Sequence, residues 1–191
     1  MKRLPSILLA LALFAPFASA QTSNWAPDKA HSGVDFSILH LSLSKVRGHF
    51  GNITGVVVWD EADITKSTVN VTIDTTTVDT GVPQRDSDLK SANYFDVAQF
   101  PTATFVSTSV ARSGKNLAVS GNLTLHGVTK PVVLQVEGPV GPIKGMGNKM
   151  HSGFSATTTL SRTAFNIGAK VPAAMVGDEV NLTIDLDLVK Q

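Results

Sequence analysis

The stretch from Val180 to Leu188 most constrains what this chain can fold into. Val180, Leu182, Ile184, Leu186 and Leu188 alternate with Asn181, Thr183, Asp185 and Asp187. An extended backbone therefore places five apolar side chains on one face and the polar ones on the other. That is a strand with one wet side, the kind found in antiparallel sheets. The same period recurs in Val34/Phe36/Ile38/His40, in Val69/Val71/Ile73 against Asn70/Thr72/Asp74, and in Leu117/Val119/Leu123/Leu125 against Ala118/Ser120/Asn122/Thr124. Further strands are expected over 46–50, 53–59, 102–110, 132–137 and 154–160. Turn-rich pieces such as His126-Gly127-Val128-Thr129-Lys130-Pro131 separate them.

Helical spacing is nearly absent beyond residue 20. One short helix is expected at 86–95, where Leu89, Ala92 and Phe95 share a side. An all-β chain of this kind makes a sandwich or a barrel, and a barrel leaves no unpaired edge. About eight strands enclose an interior that side chains can fill or that can hold one small ligand; the pattern is compatible with both. The residues from Arg85 to Phe105 include Tyr94, Phe95, Phe100 and Phe105, a high density for a chain with 6% aromatic residues, and read as a lid. The Gly- and Pro-rich stretch 137–153 and the stretch 169–178 read as irregular loops. They hold Met146, Met150 and Met175, every methionine after residue 20. These read either as an adaptable apolar rim or as ordinary loop residues resting on the sheet.

Residues 1–20 carry Lys2 and Arg3, an apolar run from Ile7 to Phe17, and Ala18-Ser19-Ala20. That is the layout of a secretory signal peptide cleaved before Gln21, and the run is short for a membrane span. Export to the periplasm is the expectation, with 21–191 as a single domain and no stable membrane anchor. The chain contains no cysteine, so neither a lipid-modified cysteine nor a disulfide is expected. Without Lys2 and Arg3 the formal charge changes from +1 to −1. No basic stripe remains to compensate a phosphate backbone, which argues against nucleic acid as a partner. The sequons at Asn52, Asn70, Asn122 and Asn181 are read as strand composition.

The chemistry of catalysis finds little support. His31, His40, His49, His126 and His151 are scattered singly without ligand spacing. There is no Gly-x-Ser-x-Gly elbow, and His31 and Ser32 are adjacent, which in a strand sends them to opposite faces. Asp185 and Asp187 share the wet face of the last strand. Neither Gly51–Gly55 nor Gly141–Gly147 has the strand–loop–helix context of a nucleotide cradle. No enzyme activity, metal or cofactor is expected.

An ordered set of motifs is more telling. It comprises Trp25, Asp28, His31-Ser32, Phe36, His40-Leu41 and Gly48-His49-Phe50, then Asp79-Thr80-Gly81, Arg85-Asp86-x-Asp88-Leu89, Tyr94-Phe95-Asp96 and Phe100-Pro101-x-x-x-Phe105-x-Ser107-Thr108. It continues through Gly121-Asn122-Leu123-Thr124-Leu125-x-Gly127-Val128-Thr129-Lys130-Pro131, Gly153-Phe154 and Gly177-Asp178-Glu179-Val180. In this order and over nearly all of 21–191, the chain resembles the YceI-like, polyisoprenoid-binding family. The resemblance implies a lipocalin-like antiparallel eight-stranded β-barrel with a short helix, and an apolar tunnel for an isoprenoid or fatty-acyl type lipid. Carried over with the strand phase, Phe36, Ile38, Ile73, Leu123, Leu125 and Phe154 are candidates for the tunnel wall. His40 joins the ligand-binding candidates, and Phe95, Phe100 and Phe105 close one end. Arg85 is the candidate for a polar headgroup, because its guanidinium forms a fork of donors ahead of the expected helix; pairing with Asp86 or Asp88 is its alternative role. Asp88 stands where many family members carry histidine, so no headgroup contact is carried over there. A solid barrel that docks a protein partner of the cell envelope is the competing reading. The sequence leaves oligomeric state open, a homodimer included.

Overall fold

The computed structural model describes residues 21–191, without the side chain of Met146. The expected signal peptide lies outside the described residues. Ten strands and one α-helix follow in chain order: β1 Thr22–Pro27, β2 Gly33–His40, β3 Ser44–Phe50, β4 Thr54–Asp60, β5 Thr68–Asp74, α1 Pro83–Lys90, β6 Thr102–Ser113, β7 Asn116–Leu125, β8 Val128–Lys144, β9 Met150–Ser161 and β10 Val176–Lys190.

Ten strands make eight staves. The order is β1-β4-β5-β6-β7-β8-β9-β10-β2-β3, and β1 also pairs with β10. β10 is long enough to take two partners on one edge, β2 along Val176–Asp185 and β1 along Leu188–Lys190. β1 and β2 are thus two halves of one bent stave. β3 and β4 are two halves of the next, paired to β2 and β1 respectively. All neighbours are antiparallel, and the ring closes as an eight-stranded barrel in which every stave has a partner. The thinnest seam follows β3, which meets the segment after β5 through the His49–Asp79 bridge, with the Gly51 N–H on the Thr77 hydroxyl at 3.0 Å just beyond it. Gly48 makes that approach possible: a Cβ there would come within 2.8 Å of the Phe36 ring, the Thr80 methyl and the Asp79 carbonyl.

Inward positions follow the alternation. Val34, Phe36, Val71, Phe105, Leu117, Val119, Val136 and Ala156 form one buried cluster, joined by Val180, Leu182, Ile184 and Leu186 from β10. Each fully buried aliphatic residue contributes about 1.5–3 kcal/mol over its exposed state. The end near Lys190 is called lower here and the end near Val176 upper. Trp25, Val57 and Leu188 form a separate cluster at the lower end, against Trp59, Met150 and Phe154.

The structure departs from expectation in several places. β1 was not anticipated, because Thr-Ser-Asn-Trp-Ala-Pro shows no apolar alternation; its register against β4 and β10 orders it. The stretch 137–153 is largely the hairpin of β8 and β9, with register shifts between Glu137 and Ile143 absorbing the Gly-Pro pairs, and not an irregular loop. Met150 and Met175 consequently lie at opposite ends, so the methionines form no common rim. The helix lies earlier than 86–95. Pro83 opens it, since its fixed φ suits a first helical position. Ser91 ends it, with its N–H and hydroxyl both turned to the Asp88 carbonyl. Phe95 arrives through turns, its N–H bonded to the Leu89 carbonyl at 2.9 Å.

Candidate functional site in the barrel lumen

The lumen consists of two chambers that share Val34, Ile73, Leu123 and Leu182 as a waist. The lower chamber has a volume of about 130 Å3 and the upper one about 150 Å3. Each is close to the roughly 150 Å3 of an engineered apolar cavity that binds benzene. A long chain therefore needs the space of both chambers.

The lower chamber is walled by strand residues such as Val57, Val71, Val119, Val136, Ala156 and Ile184, and Ser67 and Thr158 are its polar side chains. Its floor is aromatic. Trp25 and Trp59 lie with ring centroids 5.5 Å apart, and Trp59 meets Phe154 edge-on at 5.8 Å. Trp25 is 2% exposed, and its indole N–H is satisfied by the Ser23 hydroxyl at 2.8 Å.

The upper chamber is walled by Phe36, Ile38, Phe50, Leu125 and Val180, and covered by Leu89, Tyr94 and Phe95 on one side and by 160–167 on the other. Phe50 and Phe95 meet edge-on at 5.3 Å. Thr75, Ser161, Arg162 and the phenol-bearing Tyr94 are its residues with polar groups. The Thr75 hydroxyl donates to the Phe100 carbonyl at 2.8 Å, and that of Ser161 is 3.3 Å from the Thr163 hydroxyl.

Arg162 is the principal residue that sequence reasoning missed. It is 4% exposed, and its guanidinium spends all five N–H groups on backbone carbonyls: Gly177 at 2.9 Å, Ile167 at 3.1 Å, Gly168, Val171 at 2.7 Å and Val176 at 2.9 Å. Among the described residues it makes no direct ion pair. The carbonyl dipoles carry the charge instead and bind the loop 166–177 to the barrel wall. A signal was present: Phe154, Ala156, Thr158 and Leu160 set an inward phase, and continuing it by two reaches Arg162. Asp178 lies alongside. The hydroxyls of Ser161 and Thr163 hold its carboxyl below the usual range, and the charge of Arg162 acts in the same direction.

Of the residues proposed from sequence, Phe36, Ile38, Leu125 and Phe95 line the upper chamber, Phe105 and Phe154 the lower, and Ile73 and Leu123 both. Three line neither. His40 is exposed at the rim, at the end of β2. The Phe100 ring stands edge-on to His126 at 4.9 Å, over the β7–β8 turn. Arg85 donates from Nε to the Thr80 hydroxyl at 2.8 Å and from a terminal nitrogen to the Thr80 carbonyl at 3.0 Å. Thr80 in turn donates its N–H to Asp86 at 2.9 Å, and its hydroxyl holds the Asp86 carboxyl below the ordinary range. Arg85 thus fixes the turn ahead of α1.

Among the described residues no buried side-chain nitrogen or oxygen lacks a partner, and no three His, Cys, Asp or Glu side chains converge as metal ligands. What the lumen can do is remove apolar surface from water, about 0.8 kcal/mol for each methylene.

Comparison with known proteins agrees with this architecture. The YceI-like domain model matches residues 25–188. The chain is 39% identical over 196 aligned positions to Protein YceI of Salmonella newport, covering 100% of this chain and 98% of that protein. The crystal structure of Burkholderia cenocepacia BcnA superposes with a TM-score of 0.72 at 26% identity, over 84% of this chain and 98% of the other. The Campylobacter jejuni YCEI protein gives 0.71 at 28% identity, over 80% and 90%. A polyisoprenoid binding domain from Saccharophagus degradans, implicated in plant cell wall breakdown, shares the fold at 15% identity, with a TM-score of 0.63 over 90% and 100%.

Proposed function

The chain belongs to the YceI-like family, and from that premise we propose that it is a periplasmic binding protein holding a polyisoprenoid or other long-chain amphiphilic lipid in its barrel. One observation carries the reading: two apolar chambers set end to end against four shared lining residues, with no buried side-chain nitrogen or oxygen among the described residues left without a partner. Such a lumen recognises length and apolarity. Neither chamber offers a nucleophile beside a base, so binding without turnover suits the site better than catalysis. The name of the Saccharophagus degradans neighbour supports the same ligand class, and the leader-like residues 1–20 support the compartment.

The test is organic extraction of protein purified from a periplasmic fraction, with mass spectrometry of the extract and of the intact chain. A stoichiometric long-chain lipid on a chain beginning at Gln21 is expected. Protein that carries no lipid, and takes up none when offered polyprenyl phosphate or a fatty acid, would transfer the assignment to a solid barrel that docks a protein partner.

A further inference from the structure

The tip of the β2–β3 hairpin carries a cost that the barrel does not explain. His40 to Leu43 form a tight turn closed by the Leu43 N–H on the His40 carbonyl at 3.0 Å, with Leu41 at φ 53° and Ser42 at φ 56°. Two central residues at positive φ define the turn for which Asn-Gly is preferred, and a leucine there is strained. The leucine is not repaid by burial. Leu41 is 46% exposed, Leu43 84%, and the neighbouring Leu39 and Met175 are exposed as well. The Leu41 N–H holds the Met175 carbonyl at 2.8 Å, so hairpin tip and loop form one surface.

That surface adjoins the rim of the upper chamber, on the outer side of the barrel wall. Ile38 and Val176 line the upper chamber, and each is the chain neighbour of an exposed apolar residue, Leu39 and Met175. It is also framed by cations. Lys45 pairs with Leu39 and Arg47 with Ser37 across the hairpin, both on its exposed outer face, and Lys170 is exposed on the adjoining loop. Among the described residues none of the three makes an ion pair. Glu179 is the exposed acidic residue on the adjoining part of β10.

We propose that Leu39, Leu41, Leu43 and Met175 dock on an anionic lipid bilayer, dipping the hairpin tip below the headgroups so that a tail passes directly between bilayer and upper chamber. Exposed leucines ringed by Lys and Arg suit an interface of apolar interior and negative surface. A second copy suits it less, since two-fold pairing would set Lys45 and Arg47 against their own symmetry mates. The proposal rests on the lipid-binding reading above, and its test separates the two.

The experiment compares wild-type protein with Leu41→Asn/Leu43→Ser, in which asparagine also relieves the turn. Co-sedimentation uses phosphatidylcholine vesicles with and without phosphatidylglycerol, and uptake of a fluorescent long-chain fatty acid is followed from vesicles and from detergent. The wild type is expected to bind the anionic vesicles. The double variant should lose vesicle binding and vesicle-to-protein transfer by about tenfold or more, while filling from detergent as the wild type does. Equal vesicle binding by both proteins would overturn the proposal. So would a variant whose sole defect is loss of a concentration-dependent dimer, which would assign the patch to a second copy. A wild type that docks yet takes no fatty acid from either source would sink the lumen reading and leave docking standing. Filling from detergent without docking would do the reverse.

Discussion

At the lower end Trp25, Trp59, Phe154 and Leu188 close the barrel by packing, whereas at the upper end the loop 166–177 is held by the five N–H groups of one buried arginine. The two closures respond differently to opening. Separating the floor exposes aromatic area with nothing to replace the lost contacts. Releasing the roof exchanges protein hydrogen bonds for hydrogen bonds to water or to a polar headgroup, so the net cost is far below the gross strength of the bonds. The roof also adjoins the exposed leucines of the β2–β3 tip. A tail is therefore expected to pass through the upper end, with the floor as a fixed stop.

The largest expected effect breaks the floor. Trp25→Ala should cost about 3–5 kcal/mol of stability, the range for truncating a buried Trp, and it should leave ligand association rates unchanged in the fraction that folds. Denaturant unfolding and stopped-flow binding check the two halves, and altered association would place the passage at the lower end. Arg162→Met comes next. It removes the donors of several buried carbonyls and should cost about 2–4 kcal/mol. Unlike the floor variant it should accelerate both uptake and release; a loss of stability with unchanged exchange would make the roof a static cover.

Asp178 gives the smallest effect. Its carboxylate accepts the Thr163 N–H at 3.0 Å and the Thr163 hydroxyl at 2.7 Å. Because its folded pKa is lowered, the stability it contributes is present above the ordinary aspartate value of about 3.9 and is lost as pH falls through the lower folded value. Asp178→Asn should lower the Tm by about 2–4 °C at neutral pH, as expected for about 1 kcal/mol in a chain of this size. It should also flatten the decline of Tm in acid. An unchanged acid slope would remove Asp178 from the bracing of the roof.

The wall of the lumen was legible in the sequence because period two is a direct geometric consequence of an extended chain. Val34/Phe36/Ile38, the apolar set of β10 and Leu123/Leu125 all point where their alternation placed them. The two closures were not. Trp25 sits in a polar strand ordered by its partners, and Arg162 reads as a lone charge until β9 is extended by two residues. Arg85 is the opposite case: its fork of donors suggested a headgroup, and the structure shows part of that fork spent on Thr80, five residues away in sequence. Sequence shows which donors exist, and tertiary contacts decide which are already used.

The central claim is that one tail occupies both chambers through the waist at Val34, Ile73, Leu123 and Leu182. Leu123→Trp fills that waist at a packing cost of about 1–3 kcal/mol, so the variant is first checked for cooperative unfolding. Calorimetric titration then compares a long-chain fatty acid with one short enough for the upper chamber alone. Excluding even four methylenes from the lower chamber removes about 3 kcal/mol, so the long chain should lose about a hundredfold in affinity while the short one is nearly unaffected. Equal affinities of wild-type and Leu123→Trp proteins for the long chain would contradict the account.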